Sequence, residues 1–263
     1  MINKRLNKNA RKVDKFLLYF LKNQKKSTLV TPMKYGVISG GKKIRTTIIF
    51  DSGKLLNIKE KKLIDICAAV ECIHSYSLIH DDLPCMDNDA MRRGKLSTHK
   101  KFGEATAVLA GNSLLTLAFE IISNKKNLLS LKQKNEIIKL LCNCAGHTGI
   151  AGGQDLDLKY EKKNKSLNQI INMQRKKTGK LFKFCVQSAS IIGNKSKSEN
   201  IRFGKLGEEI GLLFQLSDDF LDVSGSKKLV GKSIKKDKKK GKSTLINYMG
   251  YKKSLRFAEK LKK

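Results

Sequence analysis

The 263-residue chain has no tryptophan and only two prolines, Pro32 and Pro84. So few breakers and turn clusters exclude a fold of many short strands and favour long helices. The six cysteines, Cys67, Cys72, Cys85, Cys142, Cys144 and Cys185, form no CxxC pair. That excludes a zinc knuckle, and most of them sit in apolar runs where Cys packs as a small hydrophobe. Reduced thiols in a cytoplasmic protein are expected. Long hydrophobic runs are missing near the start. "FLLYFL", Phe16 to Leu21, is too short for a signal-peptide core or a membrane span, so no stable membrane insertion is expected. The basic opening "MINKRLNKNARK" lacks the Ser and Arg richness of a transit peptide. Acidic residues are scarce as well: 23 Asp and Glu against 55 Lys and Arg, a net charge of +32. The basic excess runs through plain surface-like stretches such as "SNKKNLLSLKQKNE", with few aromatics interleaved to stack bases. It reads as compositional drift, and no nucleic-acid partner is expected.

What is present is helical periodicity. Val13 to Lys22 is an amphipathic pattern, and "YGVISGGKKIRT" is a glycine-punctuated joint. Leu63 to His80, "EATAVLAGNSLLTLAFEII", "NEIIKLLCNCAGHTGIAGG", "LNQIINMQRKKTGKLFKFCVQSASIIG" and "FGKLGEEIGLLFQLSDDFLDV" repeat apolar residues at three and four spacing. Several are apolar nearly all round, which suits central helices of a bundle. No Pro- or Ser-rich linker divides the chain, so one all-α domain over residues 1–263 is expected.

In this acid-poor chain the aspartates gather. "DDLPCMD" places Asp81 and Asp82 at the end of the longest apolar pattern, with Pro84 loosening the helix and Asp87 a turn or two further on. A helix C-terminus is a poor place for carboxylates, so something cationic should compensate. "SDDFLD" repeats the arrangement: Asp218 and Asp222 share a helical face, with Asp219 beside them. One such cluster would equally be a solvated helix end. Two on apolar helices point to hard divalent cations, and Mg²⁺ keeps positions open for water and phosphate.

Basic motifs accompany them. Arg92 and Arg93 follow the first cluster and offer planar forks for phosphate oxygens. "GGKKIR", Gly40 to Arg45, puts Lys42 and Arg45 three apart, expected on one helical face. His99 stands in "STHKKFGEA", Lys177 and Thr178 in "RKKTGK", and Lys232 in "VGKS". "GVISGGKK" satisfies GxxxxGK, but Lys43 stands where Ser or Thr must bind the metal. "GSKKLVGKS" has its first glycine one residue too far away. Neither follows a predicted strand, so a nucleotide P-loop is excluded.

Assembled in order, "GGKKIR", "DDLPCMD…RRG", "HKKFGEATAVLAGN", "GGQDLD", "KTG", "FQLSDDFLD" and "GKSIKKDKKKGKST" resemble the short-chain trans-isoprenyl diphosphate synthases, the bacterial farnesyl type in particular. The resemblance runs from about Thr31 to Thr244. It implies an all-helical isoprenoid synthase bundle around a central cavity, usually a homodimer, with the aspartate clusters facing each other. It implies that Asp81, Asp82, Asp87, Asp218, Asp219 and Asp222 bind three Mg²⁺. Arg92, Lys177 and Lys232 would hold the allylic diphosphate, and Lys42, Arg45, Arg93 and His99 that of isopentenyl diphosphate. Thr178 and Gln215 would line the reacting centre. The implied activity is condensation of dimethylallyl or geranyl diphosphate with isopentenyl diphosphate. Tyr76, five residues before Asp81 and next to Ser77, would sit over one turn deeper and stop growth at about fifteen carbons.

The sequence departs from the family pattern at Thr46 (usually Pro), Asn88 (Asp), Lys235 (Gly) and Leu245 (an aromatic), and it ends earlier than relatives do, so a final helix or tail is expected to be missing. Two readings compete with a farnesyl product. One is the same chemistry stopping at geranyl or running on to geranylgeranyl diphosphate. The other is a non-catalytic basic helical protein that binds RNA or membranes. A terpene cyclase fits less well, because "DDFLD" is not the Asn/Ser/Glu metal triad of cyclases.

Overall fold

The structure, a computed structural model, describes residues 2–224 and 242–262. Among them are thirteen α-helices: α1 (Ile2–Lys22), α2 (Val30–Val37), α3 (Ile44–Leu55), α4 (Ile64–Asp81), α5 (Thr98–Phe102), α6 (Glu104–Ser123), α7 (Leu131–Ala145), α8 (Ile150–Tyr160), α9 (Leu167–Gln174), α10 (Lys180–Ile192), α11 (Lys197–Ser224), α12 (Leu245–Met249) and α13 (Tyr251–Leu261). A π-helical segment, Arg175–Gly179, joins α9 to α10, and a short antiparallel hairpin, β1 (Met91–Arg92) and β2 (Lys95–Leu96), lies between α4 and α5. The fold is all-α, as expected, with the hairpin as an addition that the helical periodicity did not announce.

The chain divides into two compact units, one of residues 1–141 and 185–200, the other of 142–184 and 201–263. In the first, α4 is the central helix. Ile66, Cys67, Ala68, Ala69, Val70, Cys72 and Ile73 are all fully buried around its circumference, which is why its sequence shows no polar face. It packs along α6, whose Ala107, Ala110, Leu114 and Ala118 are buried; small side chains let the two backbones approach. α1 begins well before the expected Val13. Ala10, Val13, Leu17 and Leu21 form one buried stripe, so the Lys- and Asn-rich opening is the exposed side of the same helix. α6 is also long and apolar enough, by composition, to cross a bilayer; here one side of it is core.

In the second unit, α9, α11, α12 and α13 enclose a cluster of Ile170, Leu212, Leu216, Leu245 and Ala258. Each fully buried aliphatic side chain is worth about 1.5–3 kcal/mol. Leu245, one of the departures from the family pattern, is thus a core residue. α9 starts at a capping box, Ser166 with Gln169, which satisfies two orphan backbone donors reciprocally.

Candidate active site

The first aspartate loop folds back on the end of α4. The Asp87 backbone N–H donates to the Asp81 carbonyl (2.8 Å), Asn88 N–H to Leu83 (3.0 Å) and Asp89 N–H to Asp82 (3.1 Å). The helix ends at Asp81, close to where Pro84 was expected to loosen it, and Asp87 does not continue outward from that end. It is brought back beside Asp81. Asn88 adopts a left-handed backbone (φ 50°), a conformation in which Asn is enriched, and this accounts for the Asn in the acidic run.

The cation that the helix end required is Arg92. Its Nε donates to both Asp82 carboxylate oxygens (3.0 and 3.2 Å), its Nη2 to Oδ1, and Nη2 also lies 3.6 Å from Asp89. Burial raises the Asp82 pKa above the usual carboxylate value, and Arg92 opposes that shift. Arg93 sits at the hairpin turn. Arg93 and Gly94 both have positive φ, 52° and 76°, the signature of a two-residue type I′ turn in which Asn, Asp or Gly is preferred at the first position. The Arg93 guanidinium donates to the Gly40 carbonyl at 2.6 Å and lies against Gly41, docking the hairpin on the "GGKKIR" loop.

That loop corrects one expectation. α3 starts only at Ile44, and Lys43 before it is left-handed (φ 42°). Lys42 is outside the helix and exposed, so it shares no helical face with Arg45. Lys43, passed over in the sequence, is buried. Its Nζ donates to the Val37 carbonyl (3.0 Å) and lies 3.2 Å from Asp14 and 3.9 Å from Glu71. Thr46, where Pro is usual, donates its hydroxyl to Glu71 at 2.8 Å. Buried charges persist only when paired in this way.

His74 is a further residue the sequence reading missed, hidden in the apolar run of α4. Its pKa is pushed well below the usual histidine value by burial, then by the cations Arg45, Arg93, Lys43 and Arg92, so a neutral imidazole accompanies that basic group. His99 is buried, with Nδ1 3.1 Å from Ser97 Oγ, and it is among the groups that favour the charged form of Asp82. The Tyr76 ring stacks edge-on with His80 at 5.6 Å, and burial followed by the Asp81 charge raises its phenol pKa. Ser77 is buried and donates to the His74 carbonyl.

The second unit carries its own constellation. Thr178 donates to Gln215 Oε1 (2.7 Å), Gln215 Nε2 donates to Asp219 Oδ1 (2.9 Å), and Gln174 Nε2 donates to Asp219 Oδ2 (3.1 Å). Asp219 and Asp222 are buried while Asp218 is exposed. Lys177, in the π segment, donates to Asp157 Oδ2 at 2.6 Å, and Lys242 reaches the same oxygen at 3.3 Å. Although burial alone would raise it, the Asp157 pKa is lowered by these two lysines. Asp157 and Lys242 fall within the motifs "GGQDLD" and "GKSIKKDKKKGKST" but had been given no role, and Gln174 had not been singled out. The π segment can occupy its place because α8 presents Gly153 to it. A Cβ there would stand 2.1 Å from Lys177 N. Lys232 and Lys235 lie outside the described residues.

Among the described residues no group of three or more His, Cys, Asp or Glu is arranged to hold a metal. The donor chemistry nonetheless fits Mg²⁺, which takes one or two carboxylates and fills the rest of its shell with water and phosphate. The Asp81–Asp87 backbone bond puts two such carboxylates on one loop.

The comparisons with known proteins identify the family. The polyprenyl synthetase family model matches residues 26–263. The farnesyl diphosphate synthase of Micrococcus luteus is 41% identical over 224 residues, covering 85% of this chain and 76% of that protein. The apo crystal structure of an FPP/GFPP synthase from Zymomonas mobilis superimposes with a TM-score of 0.87 at 34% identity, covering 99% of this chain and 89% of the other. The geranyltransferase of Helicobacter pylori, crystallised with magnesium and isoprenyl diphosphate, gives a TM-score of 0.82 at 31% identity over 98% of this chain and 88% of that one. With the family model matched over residues 26–263 of this chain, and a curated relative 41% identical over 85% of it, the chain belongs to the polyprenyl synthetase family.

Proposed function

We propose that the protein is a farnesyl diphosphate synthase: it condenses dimethylallyl and then geranyl diphosphate with isopentenyl diphosphate, and its main product has fifteen carbons. The observation that carries this is the docking of the Arg92–Arg93 hairpin on both the aspartate loop and the "GGKKIR" loop, an array of anion-binding forks beside carboxylates that suit Mg²⁺.

Arg93, Arg45 and Lys42 bind the isopentenyl diphosphate, with neutral His74 as a hydrogen-bonding neighbour. His99, held against Ser97, binds that diphosphate with them. Arg92, Lys177 and Lys232 bind the allylic diphosphate, and Lys242 joins them through its shared contact with Asp157. In each aspartate cluster the middle residue is engaged on both oxygens by protein donors, Asp82 by Arg92 and Asp219 by two amides. Asp81, Asp82 and Asp87 from the first cluster and Asp218, Asp219 and Asp222 from the second hold Mg²⁺, up to three ions, with Arg92 and the two amides orienting the middle carboxylates. Bound Mg²⁺ supplies neutralisation of the charge that builds on the departing diphosphate. Thr178 and Gln215, held together by their hydrogen bond, turn oxygen dipoles toward the allylic cation. The double bond of isopentenyl diphosphate attacks that cation, and the released diphosphate takes the proton. Apolar helix surfaces exclude the water that would quench the cation.

α6 supports a homodimer. No charged residue falls between Glu104 and Glu120, yet Val108 and Leu109 are 38% and 52% exposed on its outer side. A cytoplasmic location follows from soluble substrates and products of this class. The test is incubation of the purified chain with dimethylallyl and isopentenyl diphosphates and Mg²⁺, followed by sizing of the product. A C15 product is expected. A C20 main product would overturn the role of Tyr76, and absence of any product would overturn the activity itself.

A further inference from the structure

The hairpin that carries Arg92 and Arg93 has almost no apolar anchor of its own. It is two residues per strand, and Met91 and Leu96 are 54% and 49% exposed. It is held by polar tethers. Three are made by the arginines: Arg92 to Asp82, Arg93 to the Gly40 carbonyl, and Arg93 Nη1 to Ser39 Oγ (3.5 Å). The fourth is made by a residue to which the reaction gives no task. The Tyr35 hydroxyl, on α2, donates to the Leu96 carbonyl at 2.7 Å. Its ring is fixed in turn by Phe102, edge-on at 5.3 Å, and by Lys101 Nζ 4.2 Å above it. A small cleft whose lining includes Tyr35, Ser75, Asp82, Arg92, Leu96 and Ser97 lies between the hairpin and α4.

α2 runs directly into the "GGKKIR" loop. Tyr35 and the Arg93–Gly40 bond therefore join the same two segments at both ends of β2, closing a ring of contacts through α2, the glycine loop and the hairpin. We propose that Tyr35 is a positioning residue that fixes the hairpin, and through it the aim of both diphosphate-binding arginines. This rests on the assignment of Arg92 and Arg93 to the two diphosphates. An element with few buried groups opens at low cost, and losing one of four tethers shifts it toward conformers in which neither fork is aimed.

The test compares steady-state kinetics of the full chain with those of Tyr35→Phe and Lys101→Met, alongside thermal melting of all three. Tyr35→Phe keeps the ring and removes the tether. It is expected to raise KM for the isopentenyl and the allylic diphosphate together, by about 3- to 10-fold, the range of one net hydrogen bond, with kcat within about twofold. Lys101→Met removes the cation above the ring but keeps the hydroxyl tether and the Phe102 contact, and should raise both KM values less than Tyr35→Phe does. In Arg93→Lys, which weakens the docking fork, the added Tyr35→Phe should cost less than it does alone, because the hairpin is already released. Unchanged KM values in Tyr35→Phe, with or without a lower Tm, would overturn the inference while leaving the activity standing. A wild-type chain without prenyl transfer would instead overturn the assignment on which it rests.

Discussion

Arg93 stands at a turn position that Asn, Asp or Gly would fill more comfortably. A left-handed backbone costs an ordinary L-residue roughly 1–2 kcal/mol, and the side chain recovers part of that through Gly40. Arg93→Asn should therefore leave the melting temperature unchanged or slightly raised while KM for isopentenyl diphosphate rises by tenfold or more; a drop in Tm with intact KM would show that the arginine serves the turn. Asp65 makes a pH prediction. It is buried near the start of α4, and burial lifts its pKa to about 6, against its own backbone hydrogen bond and Lys134. The folded state thus holds this proton more tightly than the unfolded chain, so stability falls as pH rises from about 4 through 6. Asp65→Asn should raise Tm at pH 7.5 and give no gain at pH 4, as melting curves at the two pH values will show. The sequence revealed residues of this scale unevenly. Asp81, Arg92 and Lys177 stand out as candidates because motif spacing marks them. Lys43 and His74 do not, because nothing in a lysine-rich chain distinguishes a lysine that is buried, and a histidine within an apolar run reads as packing.

At the scale of elements, the helices were legible because each buries a stripe at helical spacing, and α4 because it has no exposed face to break its apolar run. The hairpin was not, since two residues per strand carry no alternation. Nor was the π segment, whose widened turn follows from packing on α8 and leaves no mark on periodicity. Such segments concentrate at functional sites. Gly153→Ala tests this one. The new methyl would meet backbone, which cannot rotate away, so the π segment must shift. A loss of about 1–3 kcal/mol, read by denaturant unfolding, should come with a fall in kcat much larger than that of an Ala substitution on an outer face of α8. Asp157→Asn leaves the backbone untouched and removes only the counter-charge of Lys177 and Lys242. It should raise KM for the allylic diphosphate more than that for isopentenyl diphosphate.

For the whole molecule, the uncharged exposed side of α6 gives the plainest expectation. Val108→Asp combined with Leu109→Asp should convert a dimer to a monomer in light scattering, and a wild-type chain that is already monomeric at micromolar concentration would remove the dimer from the reading. The division into two units has a different consequence. Its boundaries at residues 141/142, 184/185 and 200/201 fall inside α7, α10 and α11, each a continuous helix across the point of division. No stretch of loose chain separates the units, and the first is completed only by residues that follow part of the second. A gene cut at any one place therefore encodes at most one unit whole: a break at 141/142 takes residues 185–200 from the first, and one at 200/201 takes residues 142–184 from the second.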